Sequence, residues 1–190
     1  MTTTVPGIRL HPDRLLPPEP GVRSIARRLY EAVRDLPILS AHSHVDPWPL
    51  VDNEPFADPA SLLVTPDHYV TRLLHASGVP LNALGVGRGP LPEAEARRVW
   101  RLLCAHWDAF RGTPARYWLE SELAEIFEIS LRPSAQTADA IYDQVAERLA
   151  KDDYRPRALY ERFRIQVLAT TDDPADDLSA HAALAADPTF

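Results

Sequence analysis

Lysine is almost missing from this chain: Lys151 is the only one in 190 residues, and nineteen arginines supply the remaining basic side chains. Set against twenty-seven acidic residues this leaves a formal net charge of -7. No basic stripe of the kind that grips a phosphate backbone or an anionic bilayer is present. Neither nucleic acid nor a membrane surface is therefore expected as a partner, and a small molecule is. Cysteine is just as scarce. Cys104 stands alone, which excludes an internal disulfide and argues against a cross-linked secreted scaffold. A reducing cytoplasm fits. Long apolar runs are absent too, since no stretch reaches the roughly 18 apolar residues that a membrane helix needs. Met1 to Pro20 lacks the basic start and apolar run of a signal peptide, so no targeting or anchoring segment is expected. What is there, 45% hydrophobic and 25% charged residues, is enough to bury a core.

Proline sets the first boundary. Pro6, Pro12, Pro17, Pro18 and Pro20 keep a helix from propagating, so residues 2–20 read as an extended arm, a surface wrap or partner contact. Ile25, Leu29, Val33 and Leu36 then recur at three or four residues and predict an amphipathic helix over 22–36, stopped by Pro37. Residues 1–36 are thus an arm and a leading helix, and 37–190 the main body. Residues 37–41 read as a short buried strand that turns polar at its carboxyl end. A helix over 67–77 follows, with Gly78 placed as a left-handed stop. Beyond the glycine-rich residues 85–90, the spacing predicts a helix over 91–110, another from Thr113-Pro114 and a third capped by Thr137. These form a helical insertion over about 91–150. A returning helix (157–164), a second strand (165–171) ended by Asp172-Asp173-Pro174, and a last helix over about 175–186 complete the chain. The class is α/β: a parallel βαβ unit carrying an insertion, its two strands brought side by side by a right-handed crossover.

The polar end of the first strand carries the chemistry. His42 and His44 are two residues apart, so both imidazoles leave one face of an extended chain while Ser43 faces the other way. Neutral imidazoles suit zinc or a similar divalent ion, and a catalytic site of this kind needs a third ligand and an open position. The plain alternative is a pair of half-exposed loop histidines. Asp67-His68-Tyr69 opens a helix, and its plain reading is an N-cap followed by a core aromatic. Asp172 and Asp173 before a proline are ordinary turn formers. His75, His106 and His181 lie on helical stripes as surface or core residues. Trp100, Trp107 and Trp118 read as core of the insertion, and Trp48 as a residue beside the histidine pair.

Four motifs occur together and in order: Pro37-Ile38-Leu39-Ser40-Ala41-His42-Ser43-His44-Val45-Asp46-Pro47, Asn53-Glu54-Pro55-Phe56, Asp67-His68-Tyr69 with Arg72, and Thr170-Thr171-Asp172-Asp173-Pro174. In this the chain resembles the uronate isomerases of the amidohydrolase superfamily. The resemblance implies the amino-terminal part of a (β/α)8 TIM-type barrel with a helical insertion between its first two strands. It implies interconversion of D-glucuronate with D-fructuronate, or of D-galacturonate with D-tagaturonate, in uronic acid catabolism. It implies a divalent metal, zinc, on His42 and His44, with Tyr69 exchanging a proton with a sugar hydroxyl and His68 and Arg72 binding the substrate. The family's carboxylate ligand comes from a late strand that has no counterpart here, so the 190 residues are expected to hold only part of the active site.

Two other functions stay open at this point. A metal-dependent hydrolase of the same superfamily would also use His-x-His, generating hydroxide at the metal, but gives Asp67-His68-Tyr69 no particular task. An inactive, truncated module would have no chemistry at all. The expected partner is a small-molecule uronate, with no nucleic acid and no membrane, and a homo-oligomer is compatible with every reading.

Overall fold

A computed structural model of the chain describes residues 7–190. Pro6 and the start of the arm lie outside the described residues. In chain order the elements are α1 (Pro20–Val33), β1 (Ile38–Ser40), α2 (Trp48–Asp52), α3 (Pro59–Leu63), α4 (His68–Ala76), α5 (Glu93–Ala105), α6 (Pro114–Ser121), α7 (Ala138–Leu149), α8 (Pro156–Arg162), β2 (Ile165–Leu168) and α9 (Ser179–Ala186). Short 3-10 turns and one π turn lie between them. Two compact units divide these elements: Pro12–Pro55 with Lys151–Phe190, and, of the described residues, 7–11 with Phe56–Ala150.

The first unit holds the sheet. As the crossover rule predicts, β1 and β2 pair in parallel, with Ile38 opposite Ile165 and Ser40 opposite Leu168. The pairing runs on at both ends, from Ile38 N–H to the Arg164 carbonyl and from Ala169 N–H to the Ser40 carbonyl, each at 2.9 Å. The expected burial of β1 is corrected: Ile38 and Leu39 are 47% and 66% exposed, and Val167 of β2 is 49% exposed. Apolar runs mark strands covered on both faces, and the two described strands have no such cover. The same holds for α1, none of whose residues is buried.

The limits of α1 also differ from the expected 22–36. The helix begins at Pro20, because the Glu19 carboxylate caps the backbone N–H groups of Gly21 and Val22. Proline is tolerated at a first helical position, where its missing N–H has no partner to lose. α2 ends on Asn53 in the left-handed region (φ 49°). Its last carbonyls are claimed from α8, where Arg157 donates from Nε to the Leu50 carbonyl at 2.7 Å and from Nη2 to the Val51 carbonyl at 3.2 Å. The Arg157 backbone N–H donates to Asn53 Oδ1 at 3.1 Å. α9 starts at Ser179, later than the expected 175, because Asp173, Asp176 and Asp177 each turn the chain by accepting a nearby N–H.

The second unit is the helical one. α5 and α7 pack together and α3 lies against both. Val99, Ile141 and Val145 are fully buried, and the indole N–H of Trp100 donates to the Ala138 carbonyl at 3.0 Å. Burial of such a side chain stabilises by roughly 1.5–3 kcal/mol. The expected helix over 91–110 breaks at His106 into a 3-10 turn over Trp107–Phe110, with His106 Nδ1 2.9 Å from the Leu102 carbonyl. Thr137 precedes α7 but does not cap it by its side chain: its hydroxyl donates to the Arg132 carbonyl at 2.7 Å. α4 matches its expected limits closely. Asp67 caps its start, and Gly78 (φ +94°) ends it with Val79 N–H on the Leu74 carbonyl at 3.1 Å. The arm residue Ile8 donates its N–H to the Ser130 carbonyl at 2.8 Å. Cys104 is buried, which pushes its thiol up to about 12 and makes it inert.

Candidate functional site

Beyond Ser40 the ladder stops, and the next residues are held by side chains. Ser43, facing away from its histidine neighbours, donates its hydroxyl to the Ala169 carbonyl at 2.8 Å. Thr171 donates its hydroxyl to the Ser43 carbonyl at 2.7 Å. These two bonds fix residues 42–44 against the end of β2. The imidazoles of His42 and His44 consequently meet, with Nε2 atoms 3.1 Å apart and ring planes at 87°.

This geometry suits a shared ion. Two nitrogens 3.1 Å apart, each about 2.0–2.1 Å from one centre, subtend roughly 100° there, close to a tetrahedral angle. Among the described residues no group of three or more His, Cys, Asp or Glu side chains could hold a metal. The pair therefore accounts for two positions of a coordination shell.

A polar cavity of about 320 Å³ lies beside the pair, lined by His44, Asp46, Trp48, Thr171, Asp172 and His181 among others. Trp48 thus stands where the sequence placed it. His181, read from its helical spacing as surface or core, lines the cavity and lies 2.8 Å from the Thr170 hydroxyl, which itself donates to Asp172 at 2.6 Å. No local signal reports this, because the contact joins α9 to the end of β2. The Asp46 carboxylate accepts the Trp48 N–H at 3.0 Å and so shapes the start of α2.

His68, Tyr69 and Arg72 belong to the helical unit, on the first turns of α4. Asp67 is an N-cap there, accepting from Tyr69 N–H at 2.7 Å. Tyr69, however, is not a core aromatic: it is 40% exposed, with the His68 ring 4.1 Å away and the Arg72 guanidinium 4.7 Å from its ring centre. Trp118, expected in the core, is 47% exposed and meets Tyr69 edge to face at 5.4 Å. It stands one residue before Leu119, off the row of Ala115, Leu119 and Leu123 that does bury. Four residues on, Glu122 opens the π turn Glu122–Ile126. Burial first, and the Asp67 carboxylate second, push its carboxyl up to about 7. Elsewhere in this unit Arg88 is held by Glu95 and Arg116 by Glu120.

The glucuronate isomerase family model matches residues 22–190. The uronate isomerase of Cutibacterium acnes is 53% identical over 187 residues, covering 98% of this chain and 40% of that protein. That of Corynebacterium efficiens is 53% identical over 183 residues, covering 95% and 38%. The crystal structure of glucuronate isomerase from Caulobacter crescentus superposes with a TM-score of 0.88 at 43% identity, covering 94% of this chain and 37% of that one. The uronate isomerase structure from Thermotoga maritima gives 0.76 at 29% identity, covering 85% and 34%. The chain spans about 40% of the length of the curated relatives it matches.

Proposed function

The chain belongs to the glucuronate isomerase family, and on that premise we propose that it is the amino-terminal part of a metal-dependent (β/α)8 barrel of the amidohydrolase superfamily. The whole protein interconverts D-glucuronate with D-fructuronate, or D-galacturonate with D-tagaturonate, in the cytoplasm. The observation that carries this reading is the convergence of His42 and His44 at the carboxyl end of a parallel strand, Nε2 to Nε2 at 3.1 Å. Barrel enzymes place their chemistry at that end.

Aldose–ketose exchange moves one proton from C2 to C1 and another between the two oxygens. In this account His42 and His44 would hold a divalent ion, zinc, which when bound supplies a positive charge for substrate oxygens. Tyr69 exchanges the hydroxyl proton through its phenolic oxygen. Arg72, beside the Tyr69 ring, offers a planar fork for the uronate carboxylate. His68 donates or accepts one further hydrogen bond to the sugar. The hydrolase alternative leaves this exposed His68–Tyr69–Arg72 surface without a task.

The test is ketose formation by the full-length protein on D-glucuronate and D-galacturonate, with metal content measured in parallel and ester and amide hydrolysis assayed alongside. Uronate turnover that requires the metal supports the reading. Hydrolysis without isomerisation overturns it.

A further inference from the structure

Around the histidine pair each proton can be placed by counting donors. The Thr171 hydroxyl has one proton, and the Ser43 carbonyl at 2.7 Å takes it. Thr171 Oγ1 is therefore an acceptor toward its other neighbour, His42 Nδ1, at 3.4 Å. That contact needs a proton of His42 on Nδ1, which in the neutral imidazole leaves Nε2 with a free lone pair. His44 Nε2, 3.1 Å from His42 Nε2, must then be the donor between the rings. With both rings neutral, one arrangement of protons satisfies the whole chain of contacts, and Thr171 sets its direction.

We infer that Thr171, at the end of β2, is a positioning residue for the histidine pair: its hydroxyl holds His42 in the Nδ1–H tautomer and aims the Nε2 lone pair at the ion position. This rests on the proposal that His42 and His44 bind a metal. A histidine ligand bonds through one nitrogen while a neighbour accepts from the other, and that neighbour fixes tautomer and ring direction and strengthens the ligand nitrogen. Thr171 fills the second role through its side chain and orients the intervening Ser43 peptide through the same oxygen. His44 must surrender its Nε2 proton when an ion enters, whereas His42 is already prepared. Thr170 next to it is committed elsewhere, to Asp172 and His181, so it cannot substitute.

The test compares wild type, Thr171→Val and Thr171→Ser in the full-length protein. Thr171 is exposed, so the near-isosteric valine does not threaten the fold. Zinc affinity is measured by competition with a chromogenic chelator, and the His42 tautomer by nitrogen-15 NMR of the metal-free protein. Thr171→Val is expected to weaken zinc about 10–100-fold and to shift His42 away from Nδ1–H, and Thr171→Ser to restore both. Wild type that binds zinc, with Thr171→Val binding equally and keeping the tautomer, overturns the role of Thr171 alone. Wild type that binds no zinc overturns the metal site and this inference with it. A weakened valine variant with an unchanged tautomer reduces Thr171 to a structural tie and also overturns the inference.

Discussion

Replacing Glu122 by glutamine changes the pH dependence of stability in a way that can be worked out beforehand. The carboxyl, ordinarily near 4.5, is raised to about 7 by burial and by the Asp67 carboxylate. A raised carboxyl pKa means that the folded state holds the proton more tightly than the unfolded chain. The stabilisation is present in full below about 4.5, declines as pH rises through 7, and is gone above it. At about 1.36 kcal/mol per pH unit, the gap from 4.5 to about 7 corresponds to about 3 kcal/mol. Glutamine keeps the shape and cannot ionise. Urea denaturation should therefore show Glu122→Gln gaining about 3 kcal/mol on wild type between pH 4.5 and pH 8. Groups that do not interact with Glu122 are present in both proteins and cancel in the difference. A gap between the two proteins that stays the same at pH 5 and pH 8 would refute the buried, Asp67-facing placement of this carboxyl.

Three further outcomes follow from single contacts. Ile141→Ala, at a fully buried position in α7, should lower unfolding free energy by about 2–5 kcal/mol in urea titrations, and a loss below about 1 kcal/mol would mean that α5 and α7 do not pack as described. Arg157→Ala removes two charge-assisted bonds from the carbonyls that end α2 and should cost about 2–4 kcal/mol, with Arg157→Lys recovering only part because an ammonium cannot fork. Tyr69→Phe in the full-length protein should lower kcat about 10²-fold or more at unchanged metal content, and a fully active variant would remove the hydroxyl from the mechanism.

Features encoded by near neighbours were legible in the sequence. Asp67 and Gly78 bracket α4 because a cap and a left-handed stop are local chemistry, and the two strands pair because a βαβ crossover has one hand. Features set by distant contacts were not. Ile38 and Leu39 have the composition of covered strand residues, but exposure depends on what lies across the sheet. Glu19 is an uncommon cap, so the start of α1 at Pro20 was hidden behind a run of prolines. At the candidate site, His-x-His announces its own geometry through the alternation of an extended chain. Thr171 and His181 do not, because their importance comes from the strand and helix beside them. Glu122 stood in plain view, yet nothing local marks a carboxyl as buried near another.

The claim on which the rest depends is that His42 and His44 share one ion, and X-ray absorption at the zinc edge of the zinc-loaded full-length protein tests it most directly. Two imidazole nitrogens at about 2.0–2.1 Å are predicted in wild type, falling to one, with loss of bound zinc, in His42→Ala. A zinc spectrum without imidazole scattering, or one that His42→Ala leaves unchanged, would contradict the account.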